Sequence, residues 1–181
     1  MKLNTKLFES ATAKYSILAQ SLKGQALADA LAWYCEAQEF ARHLTTLTPW
    51  SLEVAASVVS SFSPRNKWNN NKAQALLFAM GGKPKGLRNN LRMAQASTRL
   101  GFAALKGLKT NAFAKAIAGD MSAVVVDTWM VKAAGLDSSK SLSKGKYFAL
   151  ASAVTAVALG MGWSNAATQA VVWCAIRGGH A

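Results

Sequence analysis

The chain has 181 residues, 51% of them apolar, and only two cysteines, which suits one domain with a real core and excludes a disulfide framework. Its 21 Lys and Arg stand against 8 Asp and Glu, a formal charge of +13, and such an imbalance points to a polyanionic partner, nucleic acid first. Fifteen of the basic residues and three carboxylates, Asp120, Asp127 and Asp137, lie between Arg65 and Lys146, so that segment holds +12 of the +13.

Apolar residues at helical spacing predict a first helix over Thr5 to Leu22, ended by Gly24, and a second over Gln25 to Leu44. His43, at the end of the second, reads as a solvated residue or a partner of the helix dipole. Thr48-Pro49-Trp50-Ser51 starts a third helix, apolar nearly all round and therefore the expected centre of the core, which stops at Ser60-Ser61-Phe62-Ser63-Pro64. A helix over Lys72 to Met80 leads into a basic loop, Gly81 to Gly86, whose glycines allow close backbone approach and whose Lys83 and Lys85 suit phosphates. Leu87 to Leu100 forms a helix carrying Arg88, Arg92 and Arg99, ended by Gly101.

Next come a Gly107-Leu108 turn, Lys109, an amphipathic segment from Thr110 to Ala118, and an apolar run, Ala123 to Val126, that ends in Asp127. After a polar linker over Leu136 to Ser141, two closing helices, Lys144 to Leu159 and Asn165 to Arg177, are expected to pack with the N-terminal pair. The stretch from Tyr147 to Ile176 has no charged residue, yet Gly160-Met161-Gly162 and Trp163-Ser164-Asn165 interrupt it, so two buried helices explain it better than a membrane span. No strand pattern is present, and the expected fold is all-α. One compact helical domain over 1–181 is expected, with 46–135 as a central helical barrel with a hairpin and 1–45 plus 140–181 as a packing lobe. The N-terminus has no secretion signal, the two thiols suit a reducing compartment, and a cytoplasmic monomer is the reading that follows. Neither C-x-x-C nor H-E-x-x-H spacing occurs, so neither a metal nor another cofactor is expected.

The chemistry-bearing residues fall in two places. Asp127, directly after three valines, must be solvated, cap the helix through Thr128-Trp129-Met130, or work on a substrate. Lys109, eighteen residues earlier, becomes a candidate nucleophile if both groups flank one cleft. Upstream, Ser63, Arg65, Asn66, Lys67, Trp68 and the asparagines to Asn71 read as a wall of a base pocket, with Trp68 stacking on a base; the competing reading makes Trp68 core and Asn69 to Asn71 caps.

Gly107-Leu108-Lys109-Thr110 followed by Val126-Asp127-Thr128 resembles the helix-hairpin-helix DNA glycosylase superfamily, typified by endonuclease III. Val54 to Ala75 is similar to that superfamily's first barrel helix, turn and following helix. Ser63-Pro64, Trp68, Asn71 and Ala73, with Gln169-Ala170-Val171-Val172-Trp173, look closer to small phage-encoded members. The resemblance spans roughly residues 50 to 177. Where the family's hairpin reads L-P-G-V-G, this chain has Phe102-Ala103-Ala104-Leu105-Lys106-Gly107 and keeps only the second glycine. The four-cysteine iron–sulfur motif is also missing.

The resemblance implies a glycosylase-like helical bundle without an iron–sulfur cluster, and a DNA glycosylase with AP lyase activity that acts on a base flipped from double-stranded DNA. Lys109 would attack the sugar and Asp127 would assist. Ser63, Arg65, Lys67, Trp68, Asn71, Lys83, Lys85, Arg88, Gly107 and Trp129 are the expected DNA- and base-binding residues. The alternatives are a phage-type enzyme that modifies hydroxymethylated pyrimidines in DNA, and a non-catalytic DNA-binding protein on the same fold.

Overall fold

Short polar side chains set most of the helix starts. Asn4, Ser51, Ser143 and Ser164 each accept the backbone N–H three residues on, at 3.1 to 3.3 Å, which satisfies donors that the first helical turn leaves without partners. A computed structural model describes residues 4–178, and every regular element among them is helical, so the fold class is all-α. In chain order these are α1 (Thr5–Ser21), α2 (Gly24–Leu47), α3 (Leu52–Ser61), α4 (Trp68–Ala79), α5 (Arg88–Leu100), a 3₁₀ turn (Gly101–Ala104), α6 (Leu108–Ile117), α7 (Thr128–Ala133), α8 (Lys144–Met161) and α9 (Asn165–Ile176). The chain forms two compact units, one from 1–34 and 121–181, the other from 35–120.

In the first unit α1 packs on α8 and α9, and α7 packs on α9. Ala11, Tyr15, Leu150, Val154, Ala166 and Val171 have no exposed surface. The charge-free stretch of the sequence is thus the core of this unit, divided by a 102° bend between α8 and α9. Gly162, at φ 69, ends α8 in the left-handed conformation that a glycine adopts without a Cβ clash. Among the described residues no single helix is long and apolar enough to cross a membrane.

The second unit is built around α3, which packs against α4, α5, α6 and the 3₁₀ turn. Its residues from Ala55 to Ser61 are all buried, as expected of a central helix. Three of them are serines, which are small enough to let neighbouring backbones approach. Ser60 Oγ donates to Thr110 O at 2.7 Å, and Ser61 Oγ donates to Ser57 O at 2.8 Å. Pro49 lies two residues before the cap, Ser51, near the start of α3 as read from the sequence. Several boundaries differ from expectation: α2 runs on to Leu47 and α8 to Met161, past the expected Leu44 and Leu159. Helix α4 begins at Trp68, four residues before Lys72, so Asn69 to Asn71 are helical residues and not caps.

Candidate functional site

From Val54 to Gly119 the chain has no Asp or Glu and eleven Lys and Arg. The whole stretch belongs to the second unit, where the turn between α3 and α4 and the loop between α4 and α5 enclose a cleft of about 490 Å³. Arg65, Lys85 and Arg88 line it, with Asn66, Asn70, Gln74 and Asn90, and no carboxylate contributes. Asn90 is anchored there, its Nδ2 donating to Pro64 O at 3.2 Å. Arg65, at φ 58, is the one non-glycine among the described residues with a positive φ, a conformation that costs an L-residue about 1–2 kcal/mol. Strain of this kind is kept where the surroundings impose it, and clefts are where it collects.

Three of the cations expected to meet DNA are thus gathered at one cleft. The other expected residues sit elsewhere. Lys67 and Lys83 are exposed but do not line the cleft. Trp68 is half-buried, edge-on to Phe40 and Phe113 with ring centroids 6.2 and 6.4 Å apart, and Lys72 Nζ stands 5.6 Å from its ring. Asn71 is 2% exposed, and its Oδ1 and the Ser63 hydroxyl are buried without a hydrogen-bond partner. Asn66 and Asn70, read as part of a base-pocket wall, do line the cleft, and the sequence reading missed Gln74 and Asn90. The recurrence of a carboxamide every four residues, at 66, 70 and 74, was the available signal.

Lys109 is the second residue of α6 and half-buried; Gly107, exposed, is the N-cap residue, with an ordinary φ of −79. The turn before it is tied from both sides. Asn111 Nδ2 donates to Phe102 O at 3.1 Å and Leu105 O at 3.3 Å, and Phe102 N donates to Glu53 Oε1 at 3.0 Å. The left-handed glycine of this connection is Gly101, at φ 51, where the Glu53 side chain fills the place a Cβ would take.

Asp127, in the first unit, caps α7. Its Oδ1 accepts from Trp129 N and Met130 N, both at 2.9 Å, and its Oδ2 accepts from Trp173 Nε1 at 3.0 Å. The carboxylate is therefore fixed by three donors and is half-buried. Three tyrosines feel its charge. Tyr15 donates to Met130 O at 2.9 Å, Tyr34 to Gln169 Oε1 at 2.6 Å, and Tyr147 to Val124 O at 3.0 Å. Burial first, and the Asp127 charge after it, raises all three phenols above their ordinary range. They remain neutral donors at any physiological pH. Trp129, half-buried, lies under Lys132 Nζ at 4.5 Å and Arg177 at 5.7 Å, and Arg177 stands 4.2 Å from the Trp173 ring. Cations over indole faces are attracted by the ring quadrupole, so two positive groups border the aromatic side of the Asp127 site. Among the described residues no group of three or more His, Cys, Asp or Glu could hold a metal.

These features define an all-α protein with a carboxylate-free cationic stretch, Val54 to Gly119, in its second unit and an aspartate anchored in the first. The chain belongs to a family of unknown function (DUF7178), matched over residues 6–180. No curated protein and no solved structure matches it.

Proposed function

We propose that this protein binds DNA and excises a modified or damaged base, as a helix-hairpin-helix glycosylase with AP lyase activity. One observation carries the reading: eleven cations without a single carboxylate from Val54 to Gly119, folded into one unit with a cationic cleft. Solubility needs no such one-sided charge, whereas a phosphate backbone does. The roles of Lys109 and Asp127 rest on the sequence segments in which they stand, and the two belong to different units.

Cleavage of the bond between base and deoxyribose gives the sugar oxocarbenium character, which an anionic carboxylate stabilises. Asp127 has the fixed carboxylate for this part. The Lys109 amine, in its neutral form, attacks C1′ as the base departs with the bonding electrons and takes up a proton. Ring opening then gives a Schiff base between Lys109 and the sugar. Loss of a proton from C2′ and departure of the 3′ phosphate complete strand cleavage, and water returns the lysine.

Borohydride trapping tests this on oligonucleotides carrying abasic sites, uracil, oxidised pyrimidines or hydroxymethyluracil. The wild type is expected to form a covalent adduct that Lys109→Ala abolishes, and Asp127→Asn is expected to release base slowly at unchanged DNA affinity. DNA binding with neither adduct nor free base on any substrate overturns excision. A base retained in the strand but changed in mass would identify modification of a hydroxymethylated pyrimidine instead, and no chemistry at all would leave a binding protein.

A further inference from the structure

We infer that the cleft on the second unit takes one unpaired nucleotide, its phosphate against Arg65, Lys85 and Arg88 and its base edge against Asn70 and Gln74. This rests on the DNA-binding reading above and names what the cleft selects. Positions 66, 70 and 74 are four residues apart, which sets their carboxamides in a row along α4 and the turn before it. Asn70 Nδ2 donates to Asn66 Oδ1, and Asn66 Nδ2 donates in turn to Phe62 O at 3.2 Å, so the first member of the row orients the second. The Gln74 amide makes no hydrogen bond among the described residues.

The loop that carries Gly86 borders that amide across the cleft. Gly86 has φ 145, which favours glycine, and a Cβ there would come to 3.7 Å from Gln74 Oε1. A carboxamide presents a donor and an acceptor side by side, the arrangement that pairs with the edge of a nucleobase. A guanidinium matches the oxygens of a phosphate. The cleft also has Phe62, Leu87 and Leu91 in its lining, apolar surface on which a base ring can rest. Its volume of about 490 Å³ is in the range of small-ligand sites. In a duplex the Watson–Crick edge is taken by the opposite base and only the groove edges stay open, whereas an unpaired nucleotide brings its Watson–Crick edge and its phosphate together into a recess.

The test is fluorescence anisotropy of the full-length protein with three labelled oligonucleotides of one sequence: a paired duplex, the same duplex with a one-nucleotide bulge, and the single strand. Wild type is expected to bind the bulge and the single strand at least tenfold more tightly than the duplex. The Asn70→Ala/Gln74→Ala variant is expected to lose that preference while duplex affinity stays within twofold. Gln74→Glu, nearly isosteric and anionic, is expected to weaken the bulged oligonucleotide more than the duplex even if the double variant folds poorly. Equal wild-type affinity for the three oligonucleotides, or a preference that survives Gln74→Glu, overturns the inference and leaves DNA binding standing. Wild type that binds none of them overturns the DNA-binding reading together with this one.

Discussion

At Asp127 one oxygen accepts two backbone N–H groups and the other an indole N–H, so substitutions can separate its structural part from its chemical one. Asparagine keeps an oxygen for the helix cap but turns its own amide hydrogens toward the Trp173 indole. Asp127→Asn is therefore expected to cost about 1 kcal/mol, the worth of one hydrogen bond. Asp127→Ala also loses the cap, for about 1 kcal/mol more. Urea denaturation of both variants measures these costs, and equal stability of the two would mean that the cap contributes nothing. A second expectation concerns alkali. Burial pushes the Cys174 thiol from 9.0 to about 11, against a smaller opposing effect of Arg177, and the three tyrosines around Asp127 are raised from 10.0. These groups keep their protons in the folded state at pH values where the unfolded chain has lost them. The folded state thus binds more protons, and stability falls as pH rises. The loss begins near pH 9, passes through the ionisation of Cys174 near 11, and is extended by the tyrosines. Melting temperatures that stay flat from pH 8 to 11 would contradict it. Over that range exposed Cys35 should react with a thiol reagent in the native protein, and buried Cys174 only on unfolding.

The turn between α3 and α4 shows how much of each element the sequence makes readable. Ser51, Asp127, Ser143 and Ser164 are polar residues just ahead of apolar or alanine-rich runs, and the helices after them begin at those caps. Helix α4 has no such mark: Lys67 occupies the N-cap position without a side-chain bond, and Trp68-Asn69-Asn70-Asn71 are weak helix formers. Packing of Trp68 against Phe40 and Phe113, residues distant in sequence, extends the helix to 68. That extension splits the asparagine run between two faces, with Asn71 buried and Asn70 in the cleft lining. The residues around Asp127 were hidden for a similar reason, since Tyr15 reaches Met130 across 115 positions, and no local pattern reports such a contact. The boundary between the units lies inside α2, at Tyr34 and Cys35, where no Gly or Pro marks it. Arg65, by contrast, was named for its charge, and its strain is a property of the turn alone. Arg65→Gly removes the Cβ clash at φ 58, partly offset by glycine's greater freedom when unfolded, and should stabilise the fold by up to about 1 kcal/mol. The same change should weaken DNA binding several-fold. Loss of stability in this variant would show that the arginine side chain, and not its conformation, dominates the turn.

Over the whole molecule the charge is unevenly shared. The second unit has twelve Lys and Arg against four Asp and Glu, +8, and the first has nine against four, +5. Three of the four carboxylates of the second unit, Glu36, Glu39 and Glu53, precede residue 54, and Asp120 is its last residue. Repulsion among the cations between them works against compactness, and the ion pair of Lys140 with Asp137 at 3.5 Å lies outside that stretch and does nothing to relieve it. A polyanion relieves it directly, and each Lys or Arg that neutralises a phosphate releases a counterion condensed on the DNA, which makes binding steeper in salt. Affinity for DNA should therefore fall along a straight line in a plot of log affinity against log salt, with Lys85→Gln and Arg88→Gln each lowering the slope by about 1. Lys140→Gln, which removes a cation already paired and outside the cleft, should leave the slope within about 0.3 of wild type by the same reasoning. Anisotropy titrations from 50 to 300 mM salt read all three variants against wild type. If the cleft variants and Lys140→Gln change the slope equally, the protein meets DNA through its overall charge and the cleft has no privileged part. If only the cleft variants do so, phosphates are held at Lys85 and Arg88, and the carboxylate-free stretch of the sequence has its physical explanation.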